Sequence, residues 1–89
     1  MATIAQELWT IVAVAGDGDE ARFEDNPHSP LRHLLDQAVR RLYGQAANPS
    51  DYEMLIAGTV QTDLEISLQQ AGLRNGAEVV VQPRDVSKG

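Results

Sequence analysis

The side chains of this 89-residue chain that could do chemistry are few and scattered. The run Asp17-Gly18-Asp19-Glu20 has the carboxylates that open a calcium loop, but it lacks the later ligands, so it favours a hairpin turn. His28 and His33 are five residues apart, a spacing that does not place two ligands on one helix face. Ser29 has no His/Asp constellation that would make it a nucleophile. We therefore expect no catalytic residue, no metal site and no cofactor, and we predict that the chain is not an enzyme.

The remaining candidate for chemistry is the carboxyl-terminal end of the chain. A polar segment runs from Gln82 to Gly89, and Pro83 in it has no N–H to donate to a strand ladder. Residues 83–89 can span at most about 25 Å when extended, and a terminal glycine leaves its carbonyl open to a nucleophile. We predict a flexible tail at residues 83–89 that is itself the working part of the molecule. The residues that lead to Gly89 in this tail are Pro83, Arg84, Asp85, Val86, Ser87 and Lys88.

Composition and length restrict the class of protein. The 89 residues, 43% of them hydrophobic, suffice for one small globular domain, which we place at residues 8–82 after a flexible leader at residues 1–7. The chain has no cysteine, so disulfide frameworks and thiol chemistry are excluded. The net charge of −6 disfavours nucleic acid, whose phosphates need a basic surface. No apolar run approaches the ~18 residues of a membrane span and no signal-peptide pattern is present, so we expect a cytoplasmic protein that does not bind membranes.

The local patterns predict a hairpin followed by one helix. Residues 8–15 are rich in β-branched side chains, and the glycines and aspartates after them predict a turn to a return strand at residues 21–25. Ser29 is expected to be the N-cap of the helix and Pro30 its first residue, with Gly44 just past its end. The apolar side chains that recur at helical spacing are Leu31, Leu34, Leu35, Ala38 and Leu42.

Two later strands carry apolar side chains on their solvent side as well. In residues 52–57 the alternation leaves Leu55 on the solvent side, and in residues 78–82 it leaves Val80 and Gln82 on the outer face. We expect Leu55 and Val80 to be neighbours there. Exposed apolar side chains on a sheet can mark a partner site, so Leu55, Val80 and Gln82 are our candidate partner-binding residues. The alternative is that they are isolated exposed side chains without a role.

The order of two strands, a helix, a strand, a turn and a last strand is the β-grasp arrangement. Over residues 8–81 the chain resembles ubiquitin-like proteins. The matching pieces are the opening hairpin, the helix capped by Ser29, Met54-Leu55-Ile56-Ala57-Gly58, and Leu68-Gln69-Gln70-Ala71-Gly72-Leu73-Arg74-Asn75-Gly76. It is most similar to the small bacterial ubiquitin-like modifiers encoded beside E1-like, E2-like and deubiquitinase-like enzymes. The resemblance implies an α+β, β-grasp fold, with a mixed sheet of about four to five strands and one main helix packed on one face.

The resemblance also implies a protein modifier that is activated at Gly89. In such proteins an E1-like activating enzyme uses ATP to form an acyl-adenylate and then a thioester, and an E2-like conjugating enzyme delivers the glycine to a target amine. Those two enzymes, a deubiquitinase-like protease and the target proteins are the implied partners. The ending Ser87-Lys88-Gly89 departs from the two glycines with which ubiquitin and related sulfur carriers usually end.

Two other functions fit the same fold. A non-conjugated ubiquitin-like adaptor, for example of a bacterial secretion system, would usually stop soon after the last strand, and residues 82–89 count against it. A sulfur carrier would convert the carboxylate of Gly89 to a thiocarboxylate, and the missing second glycine counts against it. Lys88 is the only lysine in the chain, so a modifier of this sequence is predicted to be attached singly or linked only through Met1.

Overall fold

The last strand in the sequence is the middle strand of the sheet. The computed structural model describes residues 8–84; the predicted leader at residues 1–7 and the tail residues 85–89 lie outside the described residues. The strands are β1 (Trp9–Ala15), β2 (Glu20–Asp25), β3 (Tyr52–Ile56), β4 (Thr59–Val60) and β5 (Glu78–Pro83). Their order across the five-stranded sheet is β2-β1-β5-β3-β4. Because β5 is parallel to β1 and antiparallel to β3, the sheet is mixed.

The core lies between one face of this sheet and a single helix, α1 (Leu31–Tyr43). The buried helix residues are Leu31, Leu34, Leu35, Ala38 and Val39. The strands contribute Ile11, Ala13, Phe23, Met54, Val79 and Val81 to the same cluster. Leu42, predicted for the apolar helix face, is half-buried at the margin of the core, and Val39 is fully buried in the core. No helix within residues 8–84 is long and apolar enough to cross a bilayer.

The beginning of α1 differs from the prediction. Ser29 is not the N-cap and Pro30 is not the first helical residue, because the helix begins one residue later and Pro30 occupies the cap position with φ −71° and ψ 152°. The N–H groups of Leu31 and Arg32 donate to backbone carbonyls in the loop at residues 64–66, at 2.8 and 2.9 Å. Since a distant loop supplies acceptors for these free amides, no side-chain cap is formed there.

The end of α1 follows the prediction. Gly44 lies immediately after the helix with a φ of 111°, and its N–H donates to the carbonyl of Arg40 at 3.2 Å. Such a φ suits a residue without a Cβ. Arg40 Nε also pairs with Asp36 Oδ1 at 3.3 Å, one turn earlier on the exposed face. An exposed pair of this kind adds only a few tenths of a kcal/mol.

A capped helical turn leads into β5. Ser67 Oγ accepts from the N–H of Gln70 at 3.0 Å, and Gln70 Oε1 accepts from the N–H of Ser67 at 2.9 Å, which is a reciprocal capping box. Gly72 and Gly76 then take φ angles of 91° and 89°, and these two glycines close the turns that precede β5. A backbone bridge between Pro30 and Ser67 ties this turn to the beginning of the helix.

The end of β5 is fixed beyond the predicted domain boundary at Gln82. Pro83 still belongs to the strand and pairs with Tyr52. The N–H of the next residue, Arg84, donates to the carbonyl of Asp51 at 2.8 Å. The main chain is therefore held two residues past that boundary.

Tyr43 joins the end of the helix to the sheet. Its hydroxyl donates to the carbonyl of Val81 at 2.8 Å and accepts from the N–H of Gly16 at 3.2 Å. Its ring lies against that of Tyr52, with 4.5 Å between the ring centroids. One side chain thus connects α1, the first hairpin and β5.

We expect Tyr43→Phe to lower the free energy of unfolding by about 1–2 kcal/mol, because it removes both hydrogen bonds and keeps the ring contact. Tyr52→Phe is the matched control, since the Tyr52 hydroxyl has no hydrogen bond within residues 8–84. Urea denaturation followed by circular dichroism measures both variants. Equal stability of the two would contradict the role assigned to the Tyr43 hydroxyl.

Candidate partner-binding face of the sheet

An apolar row crosses four neighbouring strands on the face of the sheet opposite the helix. Val14 of β1 is level with Val80 of β5, Val80 with Leu55 of β3, and Leu55 with Val60 of β4. Because paired residues in adjacent strands point to the same side, these four side chains form one continuous line. The predicted neighbourhood of Leu55 and Val80 is thereby confirmed, and we call Val14, Val80, Leu55 and Val60 the apolar row.

The apolar row is accessible from solvent. Val60 is 41% exposed, while Val14, Leu55 and Val80 are partly exposed. Val12, two residues before Val14 in β1, extends the apolar surface on the same side and is also partly exposed. A contiguous group of this kind differs from the singly scattered hydrophobic residues that any protein surface carries.

The border of the apolar row is mainly acidic. Glu20 of β2 lies opposite Val14, and Glu78 of β5 precedes Val80 on the same side of the strand. Glu53 of β3 precedes Leu55 on the same side and is paired with Gln82. Arg22 of β2, opposite Val12, is the basic residue at this border. A partner that covers the row therefore meets more carboxylates than cations, and complementary contacts require basic groups around an apolar centre.

Gln82 lies at one end of this surface and is held in place. Its Nε2 donates to Glu53 Oε2 at 2.7 Å, and the two residues are paired across β5 and β3. The amide therefore presents a fixed polar edge to the apolar row. Whether Leu55, Val80 and Gln82 contact a partner stays a prediction.

The sequence reasoning missed Val14 and Val60. The alternation in residues 9–15 could have placed Val14 on the solvent side, because Ile11 and Ala13 are the buried positions there. Val60 belongs to a strand of two residues, too short to predict from a pattern. The turn before it has positive φ at both Ala57 and Gly58, which is the geometry of a two-residue hairpin, but Ala-Gly is a weaker turn signal than Asn-Gly.

Among the other candidate residues, Asp17 and His33 lie in structural contacts. Asp17 Oδ1 accepts from the N–H of Asp19 at 3.1 Å inside the first hairpin, so residues 17–20 form the predicted turn. His33 Nδ1 lies 3.2 Å from Oδ2 of the buried Asp25, and His28 is exposed. Within residues 8–84 no group of three or more histidine or acidic side chains could hold a metal ion.

The predicted conjugation residue, Gly89, and residues 85–88 lie outside the described residues. The part of the tail that is described is its beginning. Pro83 and Arg84 emerge from the middle strand of the sheet, beside the 3₁₀ turn Pro49–Asp51. Arg84 Nη1 also donates to the carbonyl of Ser50 at 3.3 Å, which adds to the backbone contact with Asp51.

The chain is similar to solved structures of ubiquitin-like proteins. The ubiquitin of Caldiarchaeum subterraneum superposes with a TM-score of 0.74 and 19% identity, covering 92% of this chain and 100% of that one. The UBL domain of Plasmodium falciparum Dsk2 gives a TM-score of 0.75 and 13% identity, covering 88% and 100%. A designed protein based on ubiquitin gives 0.73 and 12%, covering 92% and 95%.

No protein-family model matches the sequence, and no curated protein matches it either. At these identities the structural likeness bears on the fold. The five-stranded mixed sheet, the single main helix and the order of the strands agree with it. The chain therefore has the ubiquitin-like fold, an α+β β-grasp domain.

Proposed function

We propose that this chain is a bacterial, cytoplasmic ubiquitin-like modifier whose carboxylate at Gly89 is activated and joined to target amines. The observation that carries the proposal is the exit of the chain from the fold. β5 is paired on both sides, and Arg84 is bonded to the loop at Ser50 and Asp51, so residues 85–89 start from a fixed point. An activating enzyme that binds the rigid domain can thus locate the residue to be activated.

In this proposal the partner enzymes supply the catalytic groups, and this chain supplies the carboxylate that reacts. A carboxylate oxygen of Gly89 attacks the α-phosphorus of ATP, the bond to the β-phosphate breaks, and pyrophosphate leaves. A cysteine thiolate of the E1-like enzyme then attacks the acyl-adenylate and releases AMP. After transfer to the cysteine of an E2-like enzyme, a target amine displaces the thiolate and forms the amide bond. A deubiquitinase-like protease is the partner that would hydrolyse this bond.

The apolar row is the proposed docking surface for these enzymes. Its apolar centre would be covered on binding, and its mainly acidic border favours partners with basic groups around an apolar patch. The net charge of −6 supports the same preference and supports binding to proteins rather than to nucleic acid or membranes. The absence of cysteine suits a reducing compartment.

Activation at Gly89 is tested with the E1-like enzyme encoded nearest to this chain. With ATP, the chain should form an adduct that migrates as a larger species on a non-reducing gel and disappears with thiol. A variant that lacks Gly89 should form none. An active enzyme that makes no adduct would contradict the proposal and favour the adaptor. Replacement of one carboxylate oxygen by sulfur on the intact mass would favour the sulfur carrier.

The apolar row is tested by Leu55→Thr and Val80→Thr, which place a polar but strand-compatible, β-branched side chain on the solvent side of the sheet. We expect each to lower kcat/KM for transfer to the E2-like enzyme by about tenfold, since one apolar contact in an interface contributes about 1–2 kcal/mol. Leu8→Thr is the matched control: Leu8 is 50% exposed and lies roughly 20 Å along β1 from Val14. A loss of equal size in the control would contradict a specific docking surface.

The lysine content limits polymer formation. Lys88 is the only lysine, so the body of the domain offers no acceptor amine. We expect each conjugate to carry a single copy or copies linked through Met1. Mass spectrometry of purified conjugates locates the branch points, and a chain joined through any other residue would contradict this expectation.

A further inference from the structure

A second surface lies on the helix side of the sheet, away from the apolar row. It is a cavity of about 680 Å³ between the beginning of α1, the 3₁₀ turn and the first residue of β3. Its apolar walls include Leu35, Tyr52, Leu64 and two prolines, Pro30 and Pro49. This volume falls within the range of pockets that enclose a large side chain or a small ligand.

The walls of the cavity are held in place before anything binds. Pro30 is bridged to Ser67 by its backbone, and the carbonyl of Leu64 accepts from the helix at 2.9 Å. On the opposite wall Asn48 Oδ1 accepts from both N–H and Oγ of Ser50, at 3.0 and 2.9 Å. A preformed cavity loses little conformational freedom when it is filled.

The charge at the cavity rim is positive, in contrast to the chain as a whole. Arg32 Nη2 pairs with Glu65 Oε1 at 2.8 Å, and Asp36 pairs with Arg40 at 3.3 Å, so these rim charges have partners. Arg84 donates to backbone carbonyls and has no carboxylate partner within residues 8–84. A guanidinium has five N–H donors, so most of those of Arg84 remain for a ligand.

We propose that this cavity binds an acidic segment of a partner protein, which inserts one large aliphatic or aromatic side chain next to an aspartate or glutamate. The apolar side chain fills the space between Leu35, Tyr52 and Leu64. The neighbouring carboxylate pairs with Arg84, where a charge-assisted hydrogen bond forms at the mouth of an apolar site. The acidic border of the apolar row would repel such a segment, so the two surfaces select partners of opposite charge. This inference goes beyond the proposed function and holds whether or not Gly89 is conjugated.

The test is a titration of the ¹⁵N-labelled full chain with short peptides, followed by amide chemical shifts. The probe is acetyl-Glu-Phe-Glu-amide, and its controls are acetyl-Lys-Phe-Lys-amide and acetyl-Glu-Ala-Glu-amide. We expect saturable shifts at Ser50, Tyr52, Leu64 and Arg84 with the probe alone. Arg84→Gln should weaken its binding about tenfold, because one charged contact is lost. Arg74→Gln, an exposed arginine that does not line the cavity, should leave the affinity unchanged.

Several results would overturn the proposal. The first is the absence of any saturable shift up to roughly 10 mM probe, a concentration that covers weak peptide binding. The second is that the lysine or the alanine peptide binds as tightly as the probe. The third is that Arg84→Gln and Arg74→Gln change the affinity equally. A chain that ends at Arg84 provides one more measurement. The new carboxylate on Arg84 itself shifts the amides of Arg84 and Ser50, so the reporter here is Leu64 on the other wall of the cavity. If removal of residues 85–89 alone shifts the amide of Leu64 as the probe does, the cavity holds the chain's own carboxyl-terminal segment, and the assignment to a partner is wrong.

Discussion

The pairing of β5 between β1 and β3 is the constraint on which the rest of this structure depends. The strand is parallel to β1 and antiparallel to β3. It is the last strand in the sequence, but it lies in the middle of the sheet. Its alternation places Val79 and Val81 in the core and Val80 in the apolar row. The same strand brings the chain to Arg84. Core packing, the candidate binding face and the start of the tail therefore share one element.

The two faces of the domain differ in chemistry. The open face of the sheet carries the apolar row with a mainly acidic border, whereas the cavity on the helix side has Arg84 at its rim. Because electrostatic complementarity acts on encounter and partner choice, the two surfaces favour groups of opposite charge. Arg84, which borders the cavity, is bonded to the loop at Ser50 and Asp51 and is also the last described residue before the segment that leads to Gly89.

Local patterns in the sequence predicted the helix and the longer strands, each of which buries one face in the core. The alternation around Leu55 and Val80 predicted that these residues are neighbours on the solvent side, because side chains along a strand point alternately to its two faces. The beginning of the helix was predicted wrongly, since the acceptors for its free N–H groups come from residues 64–66, about thirty residues away, and not from Ser29. The two-residue strand β4 and the cavity beside Tyr52 were also missed. Both depend on contacts between distant segments, which no local pattern records.

The most direct measurement of the central claim is made on the chain in its own cells. A copy tagged at the amino terminus is purified under denaturing conditions, digested with trypsin and analysed by mass spectrometry. Trypsin cleaves after Lys88, so a conjugated copy leaves a single glycine on the amine of a target peptide. The account predicts target lysines that carry this one-glycine remnant and lose it when Gly89 is deleted. Recovery of the chain only with a free carboxylate at Gly89, under conditions where its enzymes are active, would contradict the account.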